Sequence, residues 1–322
     1  MSARGQFDLV GHNLIRYEEF SPGSLAVANN VIVPPDDPND EWARALMLKI
    51  GEWRAVLRST YIRWAMAING LHVAAAKYKS ETVPKEFIVN SIRIDRSGAS
   101  RTEVIAKYPF REASEAHLEV QGMLCAHGFI DLYAGLEEMV FDFYRTYLSE
   151  KPDTLMRGPE FADLRKLRRA ASCSEKSRAA WAKALIERLN EWQRKKLYDG
   201  LNKVFLAFCH NAGLQTPSGY TETSIESWAD SISGISLIRN LLIHGENTVP
   251  QELAEFCKKP YSLGFSFEAG KPLRLSLTHL QLLEAFSDQL LTALNFSLVE
   301  RASPTLRKEA VKHFKRKRTE SD

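Results

Sequence analysis

Residues Gly128 to Glu150 read GFIDLYAGLEEMVFDFYRTYLSE. Apolar side chains fall on one face at helical spacing and acidic ones on the other. The stretch is the centre of a helical region expected from about Ser114 to Glu150, which Lys151-Pro152 stops because proline lacks the amide hydrogen a helix needs. Such a face needs other helices to cover it.

The chain supplies them downstream. Glu160 to Ala171 reads as a short basic helix carrying Arg165, Lys166, Arg168 and Arg169. Ser174 is placed to cap a helix running toward Cys209, with Trp181, Leu185, Leu189, Trp192, Leu197, Leu201, Val204 and Phe205 on its apolar side, closed by Asn211-Ala-Gly213. Thr223-Ser-Ile-Glu226 has the capping-box pattern and opens a helix that reaches His244, with Gly245 as the stop. Tyr261 to Phe267 and Leu273 to Leu277 alternate like strands around Glu268-Ala-Gly270-Lys271-Pro272, which predicts a hairpin. Thr278-His-Leu-Gln281 is a second capping box and opens a last helix to about Arg301. Upstream, Asn29 to Asp40 (NNVIVPPDDPND) is a loop, and Glu41 to Lys79 carries Trp42, Leu46, Ile50, Trp53, Leu57 and Trp64 at helical spacing before Pro84. Phe87, Val89, Ile92 and Ile94 predict a strand ended by Arg96-Ser-Gly, paired with a second strand near Val104 to Tyr108.

The sum is a mainly α fold. A helical bundle with a small β-hairpin spans residues 114–301, a smaller α+β extension precedes it over 1–113, and a basic tail occupies 302–322. No strand leads into a glycine-rich helix start, so Walker and dinucleotide loops are absent. Of 322 residues, 44% are hydrophobic and 26% charged, which supports a packed core and argues against disorder. The net charge of +3, from 43 basic and 40 acidic residues, does not by itself mark a nucleic-acid binder. The start lacks a secretory signal pattern and no apolar run is long enough to span a bilayer, so a cytoplasmic location and no membrane partner are expected. Cys125, Cys173, Cys209 and Cys257 are scattered without a C-x-x-C pair, the pattern of buried thiols rather than a zinc ribbon or a disulfide framework.

The stretch with chemistry in it is Ser236-Leu-Ile-Arg239-Asn240-Leu-Leu-Ile-His244-Gly245-Glu246. Arg239, Asn240 and His244 interrupt an otherwise apolar helix end. Asn240 and His244 share a face; Arg239 and His244 lie about 140° apart around the axis and about 7.5 Å along it. One helix does not close that pair comfortably around a phosphate, whereas two helices related by a dimer axis can. The residue types suit phosphodiester chemistry without a metal or cofactor. Imidazole shuttles protons near neutrality, guanidinium grips phosphate oxygens, and an amide orients either group.

This stretch resembles the motif of the HEPN family, in which an arginine, often followed directly by asparagine, precedes a histidine: here R-N-L-L-I-H. At the level of helix arrangement the resemblance covers Ser114 to about Arg301. It implies a helical bundle that dimerises with the motif at the shared interface. It also implies a metal-independent endoribonuclease of the toxin–antitoxin, phage-defence or RNA-processing kind. Attack by the ribose 2′-hydroxyl would leave a 2′,3′-cyclic phosphate and a 5′-hydroxyl. By this resemblance His244 is the acid–base residue, Arg239 stabilises the phosphate and Asn240 orients, with RNA as substrate and an antitoxin or defence-system protein as a further partner. The family's first helix often adds an acidic residue, for which Glu137 and Glu138 both qualify.

Arginine-to-histidine spacing alone recurs at Arg111–His117, Arg274–His279 and Arg307–His313. Arg111 is followed by a competing glutamate, Arg274 falls in an expected strand and Arg307 in the tail. Other readings stay open. Arg239, Asn240 and His244 can be a polar helix end, or belong to a non-catalytic HEPN module that binds RNA or a partner protein. His127–Asp131 and Cys209–His210 are too few ligands for a metal. The tryptophans of the first helix read as core, LRKLRRA as a solvated face or an RNA-backbone track, and the tail KHFKRKR as a solubilising or nucleic-acid-binding segment that fades with salt. If the tail were the functional part, its removal would abolish function and His244→Ala would not. The 1–113 extension can house a trigger, an antitoxin contact or a substrate reader.

Overall fold

The structure, a computed structural model, describes residues 30–82, 85–308 and 311–312. Pro84 and residues 313–318 of the basic tail therefore lie outside the described residues. In chain order the elements are α1 (Glu41–Ser80), β1 (Glu86–Ile94), β2 (Ser100–Pro109), α2 (Phe110–Glu150), α3 (Ala162–Ala170), α4 (Glu175–Lys196), α5 (Leu201–Ala212), α6 (Ile225–Ile243), α7 (Gln251–Phe256) and α8 (Leu277–Ala302). The fold is mainly helical with one small antiparallel hairpin, β1–β2, the strand pair expected upstream. Among the described residues no helix is long and apolar enough to cross a membrane.

Two compact units divide the chain, and α1 and α2 each run through both. The boundary expected between residues 113 and 114 falls inside α2, which starts at Phe110. The smaller unit's described residues come from Ser59–Ile130 and Arg274–Gln281. Its hairpin turns on Asp95, whose carboxylate accepts from the amides of Ser97 and Ala99 and the Ser97 hydroxyl, with Gly98 at φ 85° completing the reversal. The hairpin is seated by Phe87, which meets Tyr78 and His117 edge-on at 5.6 Å between ring centres. Ser114 donates to the carbonyl of Ala75, tying α2 to α1. Gly128 lets Trp64 and Leu280 approach where a Cβ would stand 2.7 Å from Leu280 and 3.0 Å from Trp64.

The larger unit holds the main core. Leu46, Ile50 and Leu57 of α1, Leu132, Leu136, Met139 and Phe143 of α2, Phe205 and Phe208 of α5, Ile232, Ile235 and Ile238 of α6, and Leu283, Leu290 and Leu294 of α8 are all buried. Burial of such side chains is the main force holding the helices together, about 25 cal/mol per Å² of apolar surface. Polar anchors fix register. Lys49 and the Trp53 indole N–H both reach Asp142, and Arg54 and Arg58 converge on Asp288. The tryptophans of α1 thus serve packing, as their spacing suggested.

Four local expectations are corrected. The helix expected from Ser174 toward Cys209 is two helices: the cap at Ser174 holds, but Gly200 at φ 82° breaks the run between Lys196 and Leu201. The box on α6 is shifted by one residue, with Ser224 and Ser227 capping each other reciprocally instead of Thr223 and Glu226. The start of α8 is likewise closed by Ser276, whose amide donates to His279 Nδ1, not by Thr278 and Gln281. The hairpin expected over 261–277 does not form. Turns at Gly264 and Gly270 redirect the chain, and residues 270–273 bond instead to Asn247 and Val249. The alternation there was real as a burial signal, since Phe265, Phe267 and Leu275 enter the core, but they do so from irregular backbone. Arg274 accordingly lies in no strand.

Burial lowers the His279 imidazole to about 4, opposed in part by its bond with Ser276. A base depressed when folded contributes its stability above its unfolded value, near 6.5. That stability is lost as pH falls from about 6.5 toward 4, and amounts to roughly 2 kcal/mol once partial exposure is allowed for. Urea denaturation at pH 7.5 and 5.0 should show the wild type losing roughly half of this amount, because pH 5.0 lies between the two values, and His279→Gln losing clearly less; equal losses would remove His279 from the account.

Candidate functional site

The site is built by α2 and α6 within the larger unit. Helix α6 exists because Ser224 caps its start and its buried face, Ile225, Trp228, Ile232, Ile235, Ile238 and Leu241, follows a helical period. Its middle is pressed against α7. A Cβ on Gly234 would lie 2.2 Å from the Phe256 ring, so only glycine fits there. Ser231 donates to the carbonyl of Tyr261, fastening the same helix to the following loop. The far end closes in a Schellman arrangement: Gly245, at φ 69°, donates to Leu242 and Glu246 donates to Leu241. His244 is the terminal residue of that closure, and its side chain is exposed.

Arg239 sits one turn earlier and is half-buried. Its guanidinium lies over the Tyr133 ring of α2 at 5.4 Å, a cation–π contact, and Nη1 donates to Asn240 Oδ1 at 2.9 Å. Its Nε is buried and has no hydrogen-bond partner among the described residues. Tyr133 is held in turn, its hydroxyl 3.1 Å from Ser236 Oγ, which donates to the carbonyl of Ile232. Burial raises the Tyr133 phenol, and Glu137 raises it further, against the Ser236 bond and the Arg239 charge. Glu137, one turn along α2, is raised by burial, lowered by Arg239 and raised again by Glu138.

Of the residues expected from sequence, Arg239 and Asn240 are in direct contact and Glu137 joins them through its field. His244 stands at the exposed helix end. Of the two acidic candidates, Glu137 is half-buried and feels the charge of Arg239, whereas Glu138 is exposed. Tyr133 and Ser236 were not singled out from sequence; their signal was polar groups spaced three or four residues from Glu137 and Arg239 on two apolar helices. The basic cluster of α3 is largely engaged locally. Arg165 donates to the carbonyls of Met156 and Gly158, Lys166 pairs with Asp163, and Arg168 pairs with Asp153, while Arg169 reaches the carbonyl of Arg165. Arg111 pairs with Glu115 within its own helix.

Among the described residues no group of three or more His, Cys, Asp or Glu side chains is arranged to hold a metal ion. His127 and His210 are exposed, and Cys209 is buried, its thiol pushed well up by burial. Two cavities lie elsewhere in this unit. One, of about 280 Å³, is lined by Asp37, Asp40, Lys151, His210 and Arg301; the other, about 330 Å³, lies between α7 and residues 265–269.

Two outcomes follow. Gly234→Ala should destabilise the fold by about 1–3 kcal/mol through overpacking, read as a lower denaturation midpoint, and Phe256→Leu in the same chain should recover part of it. Arg239→Met should move the Glu137 carboxyl further upward, since a cation that holds it down is gone; a downward move in an NMR titration would disprove the coupling.

No protein-family model, curated protein or solved structure matches the chain.

Proposed function

We propose that this chain is a HEPN-type, metal-independent endoribonuclease that works as a homodimer on RNA in the cytoplasm, as a toxin or anti-phage defence effector restrained by an antitoxin or another defence-system protein. The observation that carries it is the Arg239–Asn240 pair braced against the Tyr133 ring, within the field of Glu137, one turn before an exposed His244. A guanidinium held in place before substrate arrives stabilises phosphate charge without reorganising, which is where such a site gains most of its rate. His244 is exposed at the helix end, where a second protomer or a substrate can reach it.

In the reaction the 2′-hydroxyl oxygen attacks the adjacent phosphorus and the 5′-oxygen leaves. His244 takes the 2′-hydroxyl proton as neutral imidazole, and a second His244, from the other protomer, gives a proton to the leaving oxygen as imidazolium. Arg239 binds the non-bridging oxygens. Asn240 keeps the guanidinium oriented.

A second reading has its own support. Arg239 is half-buried and already engaged by Asn240 and Tyr133 within one protomer, as in a HEPN module that binds RNA or a partner protein without cutting it. Wild type, His244→Ala and Arg239→Ala incubated with total RNA and transfer RNA in EDTA separate the two. The nuclease reading expects cyclic-phosphate and 5′-hydroxyl ends from wild type, with each variant at least about 100-fold slower. RNA left intact by a folded wild-type dimer would favour the binding module.

A further inference from the structure

The β1–β2 hairpin is amphipathic in the wrong sense for a lone ribbon. Register places Ile88, Asn90, Ile92 and Ile94 of β1 on one face with Lys107, Val104, Thr102 and Ser100 of β2 opposite them. On that face Ile92 is 69% and Ile94 74% exposed, with Ile88 and Val104 close to half exposed. The other face seats Phe87 on Tyr78 and His117. A two-stranded ribbon with an uncovered β-branched face and open edges is marginal in water and prone to pair with another strand.

The two edges are not equivalent. The pairing slips between Val89 and Asn90, where Ile105 of β2 is left as a bulged residue. A bulge bends and twists its strand and discourages pairing along it. Strand β1 is unbroken over nine residues, and among the described residues nothing extends the sheet beyond it.

We infer that the free edge of β1 pairs antiparallel with β1 of a second copy of this chain, joining two hairpins into one four-stranded sheet about a twofold axis at Asn90. That is the one register in which all nine residues, Glu86 to Ile94, find a partner. It sets Ile88 opposite Ile92 of the other copy, twice, and Lys85 opposite Asp95, twice. The Asp95 carboxyl is held below the usual range by its bonds to Ser97 and Ala99, so it stays charged for that pairing. No like charges meet: Arg93 faces Phe87, and Glu86 faces Ile94. The shared face is neutral as well, since its two charges, Glu86 and Lys107, pair within each copy. Cross-strand apolar and opposite-charge pairs of this kind are what stabilise a sheet. The exposed isoleucines then form one continuous row across both copies.

The test uses the full chain with Cys173 and Cys257, the cysteines not fully buried, changed to serine. Asn90→Cys, on the twofold axis, should give a disulfide-linked dimer under mild oxidation, whereas Thr102→Cys, on the same face but on β2, should not. Placed in the Asn90→Cys chain, Ile92→Lys should slow that cross-linking at least tenfold with an unchanged circular dichroism spectrum. Cross-linking at residue 90 no faster than at residue 102, cross-linking at residue 90 undiminished by Ile92→Lys, or a wild type that stays monomeric in sedimentation would each overturn the pairing. No RNA enters these measurements, so an inert protein that still cross-links at residue 90 would sink the nuclease reading and leave this one standing.

Discussion

Helix α6 has to be two things at once: a buried rod on one side and a platform for a cation on the other. The contact that lets it be both is Gly234 against Phe256, where backbone and ring meet with no room for a Cβ. That approach presses α6 against α7, leaving the Ser236–Arg239 edge to meet Tyr133 on α2. Ser236 and Arg239 lie two and five residues beyond the glycine, so a small rotation of α6 about that contact would pull Arg239 off the tyrosine ring and Ser236 off its hydroxyl together. The site inherits its precision from a packing contact that contains no polar atom.

The charge pattern follows from the same arrangement. Tyr133 and Glu137 lie one turn apart on α2 and present a phenol and a carboxyl to a single guanidinium. Burial raises both groups, and Arg239 opposes the rise in each. Removing Arg239 would let both groups rise further, so the phenol and the carboxyl are tied to one cation. His244 stands apart from them. It depends instead on the glycine stop after it, which ends the helix and frees its side chain.

Much of this was legible in the sequence, for identifiable reasons. Long amphipathic periods announced α1, α2, α6 and α8, and the stop at Gly245 and the cap at Ser174 were visible as residue types whose chemistry is local. Where several serines and threonines compete, as in Thr223-Ser224 and Ser276-Leu-Thr278, the cap slipped by a residue or two, because the choice is made by packing. The break at Gly200 did carry a signal: at 100° per residue the face of Leu201, Val204 and Phe205 lies roughly 150° from that of Trp181, Leu189 and Trp192. The 261–277 stretch misled most: Phe265, Phe267 and Leu275 alternate with polar residues as a strand would, yet the backbone bonds of the segment between them run from residues 270–273 to Asn247 and Val249. Arg239 and Asn240 stood out as polar intrusions, whereas the brace from Tyr133 is a contact between residues 106 positions apart and leaves no mark in either local pattern.

The ends of the larger unit close on each other. Asn295 of α8 exchanges hydrogen bonds with the backbone of Val31, at 2.9 and 2.8 Å, and Arg301 grips the buried Asp40 through both terminal nitrogens at 2.6 and 3.1 Å. These bonds join positions more than 260 residues apart in the chain. During synthesis, then, the segment that starts this unit waits for α8 to leave the ribosome before its carboxylate has a partner. Helices α1 and α2 form early from local contacts, but their apolar flanks stay uncovered through most of translation. A chain that stalls before α8 exposes a buried acid and a large apolar surface together, the combination that quality-control proteases and chaperones act upon.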